Sequence, residues 1–257
     1  MTMRHEQPQP KDLTTGQRMI TTFRAVAQGI AHEARGEHET EEGARYVVEL
    51  SEVEQIVADW PAAQRNIARQ MIEKYGPPNE ATPTKLFWYH NGAWKRTVLT
   101  SDVVVHNWPT VHSDFLTQFI NYRVPPEMIH LIAMFDGSVI VDRTRGEVAA
   151  RCDSESANVL AMNMVHEIVT GKRTVEEARE ISTQNTVAYN MGRDAPYAER
   201  ILFEIPERGT EDLDSSMIAG PLLQQAGGKV TDVMTGHKKE ATDRRTPEEA
   251  DRVRPPR

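Results

Sequence analysis

Lys85-Leu86-Phe87-Trp88-Tyr89-His90-Asn91-Gly92-Ala93-Trp94-Lys95-Arg96-Thr97-Val98-Leu99 is the stretch on which the fold turns. Two β-prone runs flank Asn91-Gly92. Asn-Gly is the strongest short hairpin signal, because both residues tolerate positive φ. A two-residue turn there sets a register in which Tyr89 faces Trp94, Trp88 faces Lys95 and Phe87 faces Arg96. Val103 to Val105 extends the same sheet, and Trp108-Pro109 breaks it.

Downstream, Asp136-Gly137 turns the chain into a second hairpin. Its strands are Ser138 to Asp142 and Glu147 to Cys152, joined by Arg143-Thr144-Arg145-Gly146. A four-residue connection pairs Asp142 with Glu147 and Val141 with Val148. Val139, Val141, Val148, Ala150 and Cys152 then share an apolar face, because strand side chains alternate.

The remaining signals are helical. Met19, Ile20, Phe23, Val26, Ala27 and Ile30 recur at three- and four-residue steps behind a Thr14 or Thr15 cap. Ser51 and Glu54 have capping-box spacing. Pro61 suits the first turn of a helix that presents Ala63, Ile67, Met71 and Tyr75 and stops at Gly76-Pro77-Pro78. Phe115, Leu116, Phe119 and Ile120 predict a short helix capped by Ser113. Met128, Ile129, Ile132 and Ala133 predict another after Pro125-Pro126. Asp153 or Ser154 caps a helix reaching Thr170, with Gly171 as its stop. Thr174 and Glu177 form a second capping box, and Ile201 to Ile205 reads as a late strand.

Antiparallel hairpins among amphipathic helices give an α+β class rather than a parallel βαβ layout. One α+β domain is expected over residues 14–235, with a soft boundary near 109–125. Residues 1–13 and 236–257 read as a disordered arm and a disordered tail, being charged and proline-bearing without apolar periodicity. The segment Pro61 to Leu99, a helix, Gly-Pro-Pro and then a hairpin, resembles the small α/β lipoproteins of outer-membrane assembly. That resemblance covers under a fifth of the chain. Its motifs are not specific, and nothing about function is carried over from it.

The 257 residues are 39% hydrophobic and 26% charged, ordinary for a globular protein. A net charge of −8 argues against a generic phosphate-backbone binder. No apolar run approaches a membrane span, and the N-terminus lacks the apolar core of a signal peptide. With Cys152 the sole cysteine, a reducing, cytoplasmic setting is the expectation.

Short catalytic signatures are missing: no Gly-rich dinucleotide loop, no P-loop, no Gly-x-Ser-x-Gly elbow, no His-Glu-x-x-His. Three constellations remain. Phe87, Tyr89, Trp94 and Arg96 on the first hairpin form an aromatic platform beside positive charge, as single-stranded nucleic acid uses. The acidic balance favours packing under a helix instead. On the second hairpin Asp142, Glu147 and Arg151 share one face, and Arg143 and Arg145 at the tip can clamp a carboxylate or phosphate, or pair with Asp142 and Glu147 on a solvated surface. With His166, placed on the far side of its helix, Asp142, Arg143 and Arg151 are the candidate catalytic groups.

His106, His112 and Asp114 lie within nine residues and have metal-ligand chemistry. Three ligands are too few for a closed site, and no fourth is nominated. The preferred reading is a helix start at Ser113 and Asp114. Cys152 reads as a core residue. No cofactor is indicated.

The reading favoured is a non-catalytic interaction or assembly protein that binds another protein or itself. The rival is a small-molecule enzyme with an Arg/Asp/His pocket by the second hairpin. Nucleic-acid binding is the weaker third.

Overall fold

A computed structural model describes residues 13–216. The expected tail at 236–257 and the weak periodicity of Met217 to Val233 lie outside these residues, as does the expected arm apart from Leu13. Helix α1 (Thr15–Ala34) lies mostly in a unit separate from the body, residues 32–214. Its N-terminus is capped as the sequence predicts. Gln17 N donates to Thr14 Oγ1 at 3.2 Å, and Thr14 N donates to Gln17 Oε1 at 2.8 Å.

The body is α+β. It runs α2 (Leu50–Val57), α3 (Ala62–Tyr75), β1 (Glu80–Thr82), β2 (Lys85–Asn91), β3 (Trp94–His106), β4 (His112–Asn121), α4 (Ile129–Phe135), β5 (Val139–Asp142), β6 (Glu147–Cys152), α5 (Glu155–Val169), α6 (Val175–Asn190) and α7 (Pro196–Glu199). The six strands form one antiparallel sheet in the order β1-β2-β3-β4-β6-β5. Among the described residues no helix is long and apolar enough to cross a membrane.

The second hairpin has the predicted register, with Asp142 opposite Glu147 and Val141 opposite Val148. The first does not. Asn91 pairs with Trp94, Tyr89 with Arg96 and Trp88 with Thr97, so the turn is Gly92-Ala93 and the register moves by two. The cause is the Asn91 side chain. It is buried, and its Nδ2 donates to Thr97 Oγ1 at 3.0 Å, which keeps Asn91 in the strand. His90 (φ 52) and Gly92 (φ 69) supply the positive φ instead.

The predicted helix over 115–120 is strand β4. It is a central strand, paired to β3 on one side and β6 on the other. Phe115, Leu116 and Ile120 are all buried. A strand covered on both faces gives a near-continuous apolar run, which periodicity cannot distinguish from a buried helix.

Smaller departures have local causes. α2 starts at Leu50 with Glu49 at its N-cap and no side-chain cap, so Ser51 and Glu54 do not form the predicted box. α3 buries Gln64, Ala68 and Met71 while Ala63 is exposed. α4 buries Ile132 and Phe135 rather than Ala133. Ile201 to Ile205 pairs with no strand. Ile201, Phe203 and Ile205 rest on the core, and Leu202 N donates to Asn163 Oδ1 of α5 at 2.8 Å, which explains the alternation. The Thr174–Glu177 capping box is present.

The core lies where helices cover the sheet. Leu86, Leu99, Leu116 and Cys152 are successive cross-strand neighbours on β2, β3, β4 and β6, and the three leucines are fully buried. Burying one such leucine contributes about 1.5–3 kcal/mol. Between Asn158 and Ile168 every α5 residue except His166 is buried, which makes it the central helix. Polar groups fix its seat. Asn158 Nδ2 donates to the Leu116 carbonyl at 3.1 Å and to Gln118 Oε1 at 3.0 Å.

Candidate metal centre

Beyond an irregularity between Leu99 and Val104, β3 and β4 resume pairing: Val104 opposite Asp114, Val105 opposite Ser113, His106 opposite His112. This overturns the expected helix start at Ser113 and Asp114. His106 and His112 are directly opposed, with ring centroids 5.0 Å apart, and Asp114 follows two residues along the same strand. Strand alternation at that spacing points His112 and Asp114 the same way.

His112 Nδ1 lies 2.8 Å from the Thr110 carbonyl oxygen. A carbonyl only accepts, so Nδ1 carries a proton, and Nε2 is the ring nitrogen left to face the other side chains. That Nε2 is 3.1 Å from Asp114 Oδ1 and 3.3 Å from Cys152 Sγ. Asp114 is wholly buried. Its Oδ2 accepts from the Ser138 hydroxyl, while Oδ1 has no hydrogen-bond donor. A nitrogen lone pair aimed at a carboxylate oxygen is repulsive unless a proton or a cation sits between them.

His106 stands between two carboxylates. Its Nδ1 is 3.8 Å from Asp114 Oδ2 and its Nε2 is 3.8 Å from Asp136 Oδ1. Arg151 Nε is also 3.8 Å from Asp114 Oδ2 and makes no hydrogen bond, so it offsets charge without satisfying the carboxylate. One ligand atom each from His106, His112 and Asp114 fits within 4.8 Å. Metal bonds of about 2.0–2.2 Å separate neighbouring ligand atoms by about 3.0–3.6 Å, depending on geometry. The surroundings also match those of metal-bound histidines, whose second nitrogen faces a backbone carbonyl or a carboxylate. Thr110 plays that part for His112, and Asp136 faces the second nitrogen of His106.

Burial raises the Asp136 carboxyl above its usual range, with Asp114 adding to the rise. The Ser138 N–H and His106 pull it back. Burial also pushes the Cys152 thiol well above its ordinary value, reinforced by the carboxylates of Asp153, Asp114 and Asp136. Without a cation beside it the sulfur is a protonated thiol, in line with its place beside the leucine row.

The catalytic candidates of the second hairpin make contacts in three different places. Asp142 and Arg143 are at its tip, where Arg143 donates to Asp214. Arg151 is at the opposite end, beside Asp114. His166 stacks on Phe203, with ring centroids 4.3 Å apart, and pairs through Nδ1 with the Tyr122 hydroxyl at 2.9 Å. Glu147, expected on a solvated surface, is buried. It takes Arg96 Nη2 at 2.7 Å and has Lys95 Nζ at 3.2 Å.

Nor is the first hairpin an open platform. Trp94 is buried in the core, and Arg96 is buried over the Phe119 ring at 3.9 Å. Phe87 and Tyr89 are half-buried, and Tyr89 donates to Glu80 Oε1 at 2.8 Å. Arg145 is half-exposed near Glu39, at 3.7 Å. A cavity of about 810 Å³ opens beside Lys95 and Arg145. Of the groups lining it, Lys95 pairs with Glu39, and His38 Nδ1 lies 3.0 Å from Glu211 Oε1.

Asp136, Ser138 and Cys152 were missed by sequence reasoning as parts of the His106–His112–Asp114 group. The available signal was the β-branched run Val103-Val104-Val105. Continued into a returning strand, it closes a hairpin that opposes the two histidines.

No family model matches this chain. Neither a curated protein nor a solved structure matches it.

Proposed function

We propose that this chain binds a divalent transition-metal ion through His106, His112 and Asp114. The observation that carries this reading is His112 Nε2 standing 3.1 Å from the donorless Oδ1 of a wholly buried Asp114, with His106 in the same 4.8 Å group. A cation between them would bond both the nitrogen and the carboxylate oxygen. Two imidazoles and one carboxylate suit zinc or non-haem iron(II) rather than magnesium or calcium. Elemental analysis of the purified, untagged chain tests it. One zinc or iron per chain is expected, lost in His112→Ala and Asp114→Asn. A wild-type chain that carries no ion, and takes up none after chelation and dialysis against zinc, overturns the reading.

A second reading is supported by the exposed valines of the same hairpin end. Val103, Val104, Val105 and Val111 are each 45–73% exposed. Contiguous exposed apolar surface marks association sites. On this reading the chain is a non-catalytic interaction protein, and the ion stiffens the hairpin that carries the contact surface. Sedimentation velocity across a concentration series tests self-association. A concentration-dependent increase that Val105→Asp abolishes supports it, and a strictly monomeric wild type removes the self-association form.

A further inference from the structure

Three protein ligands leave an ion with an open position, the pattern of a catalytic centre, whereas four close it. We infer that the Cys152 sulfur is the fourth ligand, making a closed tetrahedral centre with His106, His112 and Asp114. This rests on the proposed metal reading and adds to it the identity and softness of the site.

Position is the first argument. Cys152 Sγ lies 3.3 Å from His112 Nε2, the atom that also faces Asp114 Oδ1. Bonds of about 2.3 Å to sulfur and 2.0–2.1 Å to nitrogen place those two atoms about 3.1–3.6 Å apart, depending on geometry. The sulfur therefore stands at ligand spacing from His112, and since Cys152 lies outside the group whose ligand atoms all fall within 4.8 Å of one another, its side chain must move toward His106 and Asp114 to complete the centre.

The second argument is the scaffold. His106 comes from β3, His112 and Asp114 from β4, and Cys152 from β6, paired through Leu116. Three adjacent hydrogen-bonded strands hold all four groups, and rigid elements give more exact sites than loops do.

Charge is the third. When the ion binds, the thiol gives its proton to solvent and the sulfur bonds as thiolate. One divalent ion, one carboxylate and one thiolate sum to zero. Around it Asp136 and Arg151 sum to zero, and Asp153, whose Oδ1 is 3.7 Å from Sγ, adds one negative charge. The metal-bound set is thus neutral in itself, which limits the cost of burying it. Thiolate with imidazole also selects zinc over hard cations.

Cobalt(II) is the probe, added to the chelator-treated full chain. Cobalt bound to thiolate absorbs in the near ultraviolet, and tetrahedral cobalt gives intense visible bands. Both are expected in the wild type at one cobalt per chain. Cys152→Ser should still bind cobalt, weakened by about tenfold or more, without the near-ultraviolet band. Cobalt bound in the wild type at one per chain, lost in Asp114→Asn, but with no thiolate band, overturns the role of Cys152 and leaves the three-ligand ion standing. A wild type that binds neither cobalt nor zinc overturns the metal reading itself and this inference with it. The wild-type spectrum decides the question even if Cys152→Ser proves insoluble.

Discussion

Trp94 Nε1 donates to Glu155 Oε1 across 2.6 Å, tying the start of β3 to the first turn of α5. The same oxygen accepts from Tyr75 Oη at 2.5 Å, and Lys74 Nζ reaches Oε2 at 2.7 Å. One carboxylate thus joins α3, the sheet and the central helix. Glu155→Ala strands the indole N–H and the phenol without an acceptor and should cost about 2 kcal/mol. Burial pushes this carboxyl up, but the bonds from Lys74, Tyr75 and Trp94 outweigh it and hold it below the usual 4.5. The stabilisation is therefore present above that value and lost as pH falls through the lowered one. Urea melts of wild type and Glu155→Ala should converge in acid. An equal gap at pH 7 and in strong acid would show that the carboxylate is not the clamp.

Gly92 has a φ of 69°, and a Cβ there would lie 3.1 Å from Tyr75 Cε1. Gly92→Val should cost about 1–2 kcal/mol from left-handed strain alone, with crowding of Tyr75 added. Asn91→Ala should also cost about 1 kcal/mol or more, because Asn91 is a buried network residue rather than a turn residue. Chemical denaturation reads both. A neutral Asn91→Ala would restore the simple Asn-Gly turn.

These two hairpins show what was legible in the sequence and what was not. In the second, a four-residue connector ending at Gly146 (φ 63) sets the register by local chemistry, and Asp142 meets Glu147 as predicted. In the first, Thr97, six residues from Asn91, holds the Asn91 amide, and the register moves by two. β4 misleads for a related reason, since nothing within Phe115 to Ile120 reports that strands flank it on both sides. The candidate site was half visible: His106, His112 and Asp114 stand close in sequence. Cys152 is forty residues from His112 and reaches it only because Leu116 pairs with Cys152.

His166 gives a pH test away from the ion. Burial lowers its pKa below 6.5, with Glu167 raising it and Lys172 lowering it further. The unfolded chain therefore takes up a proton more readily than the folded one. This contribution is fully present above 6.5 and declines as pH falls from there toward the lowered folded value. His166→Gln should flatten that part of the profile of melting temperature between pH 7.5 and 5. The Tyr122 hydroxyl, pushed up to about 12 by burial, stays protonated throughout and so adds no slope of its own. A wild-type profile that rises on acidification over this range would refute the assignment.

Zinc should act on the hairpin end as a ligand acts on any folded state that alone binds it. At a hundredfold excess over its dissociation constant, free zinc adds about 2.7 kcal/mol to stability. The wild-type melting temperature should rise with zinc and return on adding chelator, while His112→Ala should ignore both. Asp114→Asn adds a second, ion-independent effect. Arg151 Nε is buried, makes no hydrogen bond and has Asp114 Oδ2 at 3.8 Å as its counter-charge. Removing that charge takes the counter-charge from the buried Nε of a guanidinium that is otherwise partly solvated, so Asp114→Asn should melt somewhat below the wild type even with chelator in both samples. His112→Ala leaves the Arg151–Asp114 pair intact, so with chelator present it should lie closer to the wild type than Asp114→Asn does. If instead the two variants are equally destabilised with chelator present, Asp114 contributes nothing beyond what His112 does, and Arg151 is not held by it. If zinc raises the melting temperature of His112→Ala as much as that of the wild type, the ion is binding somewhere other than this pair of strands.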